Sequence, residues 1–122
     1  MAKIPFYRVL NSYVHLGRIG VLAEFGCDSD FVARSEGFRS LMNDVTMHIA
    51  ANGPADIESL HKQPFVRDES RTVSDILDEA SRKFREDVCV LRFIRWSTDD
   101  YERPIESTPP KNPAVIFRSG RR

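Results

Sequence analysis

The chain has 122 residues, of which 41% are hydrophobic, and its 18 basic and 18 acidic residues give a formal net charge of zero. This length and composition indicate one domain with one core, and the balanced charge excludes a general electrostatic attraction to nucleic acid or anionic lipid. No apolar run approaches the ~20 residues of a membrane span, and the first residues lack the apolar core of a secretory signal.

Two strands joined by a tight turn are predicted first. Residues 13–15 form a short strand, and residues 19–25 form a second one with apolar residues at alternate positions, namely Ile19, Val21, Ala23 and Phe25. Between them lies Leu16-Gly17, whose glycine tolerates the positive φ of a tight turn. The pair is therefore predicted to be a hairpin.

A helix is predicted from Ser35 to Asn52. Its apolar residues recur at i, i+3, i+4, i+7 and i+11, which places them on one helical face; they are Phe38, Leu41, Met42, Val45 and Ile49. Ser35 is a suitable N-cap because its hydroxyl can accept a hydrogen bond from a free amide of the first turn. Gly53-Pro54 ends the helix, and a polar connector is expected over residues 55–62.

The second half of the chain predicts an extended edge segment, a helix and a strand. Pro64 and Phe65 indicate the edge segment, and Thr72 caps the helix, with Asp75 at the capping-box position. Residues 88–96 form the strand. Its apolar residues occupy both faces, with Val88, Val90 and Ile94 on one and Cys89, Leu91 and Phe93 on the other. This arrangement predicts a central, covered strand.

These elements predict an α+β fold in which a small antiparallel three-stranded sheet has helices packed on one face. The domain is expected to cover residues 1–98. Residues 99–122 are rich in proline and end in basic residues, which predicts a flexible tail. Val115-Ile116-Phe117 is the exception in this tail, because three consecutive apolar residues are suited to docking on the body or on a partner.

The sequence carries no pattern typical of covalent catalysis, and we expect neither an enzyme nor a cofactor. It has no phosphate-binding loop ending in Gly-Lys-Ser/Thr, and its three histidines have no metal-ligand spacing. His48 is expected to be structural or exposed, at a helix end where a cation is favourable. Cys27 and Cys89 are too few for a disulfide framework. They are interpreted as buried thiols in a reducing compartment, the cytoplasm or an organellar matrix.

The stretch 17–34 resembles the core of the translation elongation factor Ts family, whose hallmark is Thr-Asp-Phe-Val after a Gly-Val-Leu-Val-Glu-type strand. Here Ser29 replaces the threonine and keeps the hydroxyl. Further stretches resemble the family in the same order, and the resemblance covers about residues 10–98. They are Ser12-Tyr13-Val14-His15, Met47-His48-Ile49-Ala50-Ala51, Gln63-Pro64-Phe65-Val66, Thr72-Val73 and Arg92-Phe93-Ile94-Arg95.

The resemblance implies a guanine-nucleotide exchange factor for an elongation-factor-Tu-type GTPase. In the family, an Asp-Phe pair intrudes near the magnesium site of the GTPase. This role carries over to Asp30 and Phe31, with Ser29 and Val32 shaping the turn, and the Ser-Tyr-x-His motif nominates His15 as a further partner-binding residue. The residues alone leave open whether the ring of Phe31 packs in the core or projects towards a partner.

Two departures from the family bear on this expectation. Family members normally begin with a three-helix docking module and carry a long helical insertion before Gln-Pro-Phe. We expect a short form that lacks the module and bridges the insertion with about ten residues. Short members carry one core half and dimerise, so a homodimer is also expected, since exposed strand edges are a liability.

Two alternatives remain open at this point. The first is an interaction module of the translation machinery that keeps the fold without the exchange activity. The second is an RNA-binding domain based on Arg92, Arg95 and the arginines of the tail, although the interleaved acidic residues argue against it.

Overall fold

The computed structural model describes residues 4–100. The expectations for the tail beyond Asp100, including docking of Val115-Ile116-Phe117, therefore lie outside the described residues. In chain order the elements are β1 (Tyr7–His15), β2 (Ile19–Cys27), α1 (Asp30–Ala33), α2 (Glu36–Asn52), α3 (Ile57–Lys62), β3 (Pro64–Phe65), β4 (Asp68–Thr72), α4 (Val73–Phe84) and β5 (Cys89–Ser97). None of these helices is long and apolar enough to cross a membrane.

The main sheet is antiparallel and has the strand order β1-β2-β5, and β3 and β4 form a separate two-stranded sheet. The predicted α+β class, with a three-stranded sheet and helices on one face, is confirmed. The predicted position of the last strand is wrong, because β5 is an edge strand and β2 lies in the middle.

The predicted hairpin joins β1 and β2. Three residues lie between the paired His15 and Ile19, and the N–H of Arg18 donates to the carbonyl of His15 at 2.9 Å. Leu16 and Gly17, the two central residues of this turn, both have positive φ, 54° and 70°. β1 begins at Tyr7, six residues earlier than predicted, because Asn11 interrupts the apolar alternation that marks a strand in sequence. Asn11 nevertheless belongs to the strand, and its side chain donates to the carbonyl of Met42 at 3.3 Å and to Oγ1 of Thr46 at 3.0 Å.

The predicted capping residues of α2, Ser35 and Gly53, are confirmed. The hydroxyl of Ser35 accepts from the N–H of Phe38 at 3.2 Å, and Gly53 ends the helix in the left-handed region with its N–H on the carbonyl of Ile49. The predicted apolar face is buried against the sheet. Burial of each of these large side chains stabilises the fold by about 1.5–3 kcal/mol before entropy is counted.

The predicted polar connector is wrong over most of its length, because residues 57–62 form α3. Asp56 caps this helix by accepting from the N–H of Ser59 at 2.8 Å, and Leu60 is fully buried. The capping box of α4 is confirmed. The N–H of Thr72 donates to Asp75 at 3.0 Å, and the N–H of Asp75 donates to the hydroxyl of Thr72 at 3.1 Å.

A β-bulge at Leu91 reverses the predicted faces of β5. Glu24 is paired with Arg92, whereas the next residue of β2, Phe25, is paired with Val90. Since side chains alternate with a period of two, one extra residue moves everything after it to the other face. Phe93 consequently packs against the core, and Ile94, predicted to lie with Val90, is 50% exposed.

The sheet face opposite α2 carries several exposed apolar side chains, next to the ion pairs of Glu24 with Arg8 and Arg92. We call it the outer face and define it by Leu10, Val14, Leu22, Ile94 and Trp96, which the strand register places on the same side. One end of this face is closed by Pro5, which is buried over Gly26.

Candidate functional site

The candidate partner-binding residues 29–32 form the first turn of a helix rather than the predicted turn. Ser29 is the N-cap of α1: its hydroxyl accepts from the N–H of Val32 at 3.2 Å, and its carbonyl accepts from the N–H of Ala33 at 3.0 Å. A serine in this position satisfies amides that have no partner within the helix.

The short helix α1 separates two neighbouring apolar side chains. Val32 is buried in the core, whereas the ring of Phe31 is 84% exposed. The alternative in which Phe31 packs in the core is therefore wrong. The arrangement holds the backbone of Phe31 against the domain while the ring stays available to another molecule.

Asp30 lies beside this ring on the surface. Its two carboxylate oxygens accept from Nε of Arg34 at 3.3 and 3.2 Å, and both side chains are largely exposed. An exposed ion pair of this kind contributes little to stability. Asp30 can therefore exchange this contact for one with a partner at small cost.

Glu86 is a part of this site that the sequence did not indicate. Its Oε1 accepts from the backbone N–H groups of Asp28 at 2.9 Å and Ser29 at 3.1 Å, and its Oε2 accepts from the hydroxyl of Ser29. Glu86 lies 57 residues after Ser29 in a charged turn. A local pattern does not single out one acidic residue among several there.

His15 lies far from the other candidate residues, Ser29 to Val32. It ends β1 next to the hairpin turn, where the hydroxyl of Tyr13 lies 2.8 Å from its Nδ1. Phe31 follows the opposite end of β2, a strand of nine residues. At ~3.4 Å per residue, the two ends are about 25 Å apart. Within one chain, therefore, His15 and Phe31 do not belong to one local site.

The two cysteines and His48 are packed within the domain and do not form part of this site. Cys27 is buried, Cys89 is half-buried, both are free, and burial raises the pKa of each thiol. His48 is fully buried, which confirms a structural role. Its burial lowers its pKa, so the expectation that it carries a positive charge at this helix end is wrong. Within residues 4–100, no three side chains of His, Cys, Asp or Glu form a group that could hold a metal ion.

The two arginines behind the RNA-binding alternative are engaged within the domain. Arg92 donates to Glu24 at 2.8 Å, and the guanidinium of Arg95 donates twice to the carbonyl of Ala50. The arginines of the tail lie outside the described residues.

Comparison with known proteins gives consistent matches. The family model described as Elongation factor TS matches residues 28–102, which include Ser29 to Val32 but not His15. The elongation factor Ts of Koribacter versatilis is 36% identical over 125 aligned residues, covering 88% of this chain and 57% of the relative. That of Desulforamulus reducens is 34% identical over 140, covering 77% and 64%.

A third relative, the elongation factor Ts of Trichlorobacter lovleyi, is 39% identical over 83 residues, which is 68% of this chain and 27% of the relative. The chain thus spans between about a quarter and two thirds of the length of these three curated relatives.

Proposed function

Because the chain belongs to the elongation factor Ts family, we propose that it binds an elongation-factor-Tu-type GTPase and promotes the release of GDP, with no covalent chemistry of its own. The observation that carries this proposal is the exposed ring of Phe31 on a capped helical turn whose next residue is anchored in the core. A rigid backbone with an outward aromatic ring suits insertion into another protein.

The proposed wedge is Asp30-Phe31. A GTPase holds GDP through a phosphate-binding loop and Mg²⁺, and Mg²⁺ demands near-ideal octahedral geometry. A ring and a carboxylate that enter beside this site fit the nucleotide-free GTPase better than the loaded one. By linkage, the nucleotide must then bind more weakly while the wedge is in place.

The size of this effect follows from the ring itself. Full burial of one large apolar side chain is worth about 1.5–3 kcal/mol. If that burial occurs only in the nucleotide-free complex, it alone weakens GDP binding by about 10- to 150-fold. Phe31 makes a substantial contribution by this estimate, and other contacts of the complex add to it.

The test is release of a fluorescent GDP analogue from the loaded GTPase. We expect the wild-type chain to accelerate release, Phe31→Ala to lose at least about tenfold of that acceleration, and Phe31→Leu, which keeps an apolar side chain, to lose less. Binding without acceleration would instead identify an interaction module that does not exchange nucleotide. Absence of binding at micromolar concentrations would overturn the proposal.

We further propose that a second copy of the chain covers the outer face. Stacked sheets align their strands within about 30°, and an isologous pair presents the same surface twice. If the strands of the two copies run in opposite directions, the His15 end of one copy lies over the Phe31 end of the other. A dimer of this kind unites candidate residues that one chain keeps apart.

Sedimentation tests the dimer. We expect a dimer at micromolar concentration and a monomer for Ile94→Lys, which places a charge on the outer face. Ser40→Lys, on the exposed side of α2, is the matched control and should stay dimeric. A wild-type chain that sediments only as a monomer contradicts the dimer.

The proposed place of action is the cytoplasm or an organellar matrix, where translation takes place. The two free thiols support a reducing compartment, because disulfides are typical of oxidising ones.

A further inference from the structure

The turn that carries Glu86 is fixed on both sides. α4 ends at Arg85 in the left-handed region, with φ 61°, and the N–H of Glu86 donates to the carbonyl of Ser81 at 3.2 Å. The hydroxyl of Ser81 in turn accepts from the N–H of Val88 at 3.0 Å. The carboxylate of Glu86 therefore reaches the loop before α1 from a rigid base.

Ser29 connects this base to α1. Its hydroxyl donates to Glu86 and at the same time accepts from the N–H of Val32. A helix of four residues is too short to persist alone, so its orientation depends on such contacts. The exposed ring of Phe31 contributes little packing of its own.

We propose that Glu86 is a positioning residue for nucleotide exchange: by holding the backbone of Asp28 and Ser29, it fixes α1 and presents the ring of Phe31 in one orientation. This inference rests on the proposed function. A loop that is ordered before binding avoids the entropy cost of ordering it in the complex. Loss of Glu86 should therefore weaken productive binding without removing the wedge.

The first readout is amide hydrogen exchange of the full chain. In Glu86→Ala we expect the amides of residues 29–34 to exchange at least about tenfold faster, while amides in β2 and α2 keep their protection. Glu69→Ala, in the exposed part of β4, is the matched control and should change neither region. Unchanged protection of residues 29–34 in Glu86→Ala overturns the proposal.

The second readout is GDP release as a function of chain concentration. We expect the half-maximal concentration to rise about tenfold in Glu86→Ala, with the maximal rate close to wild type, because the ring is still present. Glu86→Gln keeps an oxygen that accepts from the two amides, and it should recover part of the loss. A more mobile loop with an unchanged half-maximal concentration overturns the positioning role.

Two further outcomes are decisive. If Glu86→Ala does not fold, Ser29→Ala replaces it, because this change removes the hydroxyl that joins Glu86 to the N–H of Val32; unchanged values in both readouts then overturn the proposal. A wild-type chain that fails to accelerate GDP release overturns the proposed function, and the role of Glu86 in exchange falls with it. That failure is distinct from a working wild type with an unaffected Glu86→Ala.

Discussion

Nδ1 of His48 accepts a hydrogen bond from the backbone N–H of Val66 at 3.0 Å, although the two residues lie 18 positions apart. Nε2 of the same ring lies 2.8 Å from Oε1 of Gln63. Because Nδ1 acts as an acceptor and Nε2 faces an acceptor, the imidazole is neutral with its proton on Nε2. The ring also stacks on Phe65, with centroids 5.9 Å apart.

This neutral ring predicts a loss of stability in mild acid. Burial lowers the pKa of His48 below its ordinary value of 6.5, although the contact with Gln63 opposes the shift. The unfolded chain then binds the proton more readily than the folded one, so the free energy of unfolding rises with pH. Stability should be fully present above pH 6.5 and fall below it, by at most about 1.4 kcal/mol per pH unit from this group.

Urea unfolding at pH 7.5, 6.5 and 5.5 measures this effect. His61→Gln, in α3, should keep the dependence, whereas His48→Gln should start from a lower stability and lose most of the dependence. Equal midpoints for the wild type at pH 7.5 and 5.5 would contradict the assignment of His48 as the buried neutral group.

The surroundings of His48 also show where prediction from sequence stops. The turn at Leu16-Gly17, the cap at Ser35 and the capping box at Thr72 depend on residues at most three positions apart, and the sequence indicated all of them. The contact of His48 with Val66 depends on how α2 lies against residues after β3. No local pattern contains that information.

The candidate site also combines features that the sequence indicated with features that depend on tertiary packing. Residues 29–32 were identified by their resemblance to the Thr-Asp-Phe-Val motif of the family, but the exposure of Phe31 depends on where α1 lies against the core. Ile94 was assigned to the face of Val90 because the bulge at Leu91 arises from the pairing of β5 with β2, which the sequence does not show. Glu86 was missed because its partners are distant in sequence.

Two phenylalanines should respond in opposite ways to truncation. Phe38 is fully buried in α2, so Phe38→Ala should lower the free energy of unfolding by about 3–5 kcal/mol. Phe31 is exposed, so Phe31→Ala should stay within about 0.5 kcal/mol of wild type. Chemical denaturation measures both. A large loss for Phe31→Ala would mean that the ring packs inside the domain in solution.

Two glycines of β2 should also differ when they are replaced by alanine. A Cβ at Gly26 would lie 2.4 Å from Cγ of Pro5, whereas a Cβ at Gly20 meets nothing within 4 Å. Gly26→Ala should therefore displace residues 4–6 and lower stability by about 1–3 kcal/mol. Gly20→Ala, in the same strand, is the matched control and should be close to neutral. Thermal unfolding compares the two, and equal midpoints would show that Pro5 does not rest on Gly26.

Arg95 completes the C-terminal end of α2. In a continuing helix the carbonyl of Ala50 would accept from the N–H four residues later, but that residue is Pro54, which has none. Ala50 is buried, and Nε and Nη2 of Arg95 supply the missing donors at 3.1 and 3.0 Å from its carbonyl oxygen. The guanidinium charge is also favourable at this end of the helix.

Removing this contact should be costly because it leaves a carbonyl without a partner. Arg95→Met keeps much of the apolar stem and should lower the free energy of unfolding by about 1.5–3 kcal/mol. Arg92→Met, three residues earlier in β5, removes an exposed guanidinium from Glu24, whose side chain is largely buried but keeps Arg8 at 4.0 Å. This change should cost about 1 kcal/mol or less. Chemical denaturation of the two variants under one set of conditions gives the comparison. Equal losses would mean that the carbonyl of Ala50 finds another donor once Arg95 is gone, and that the end of α2 does not depend on β5.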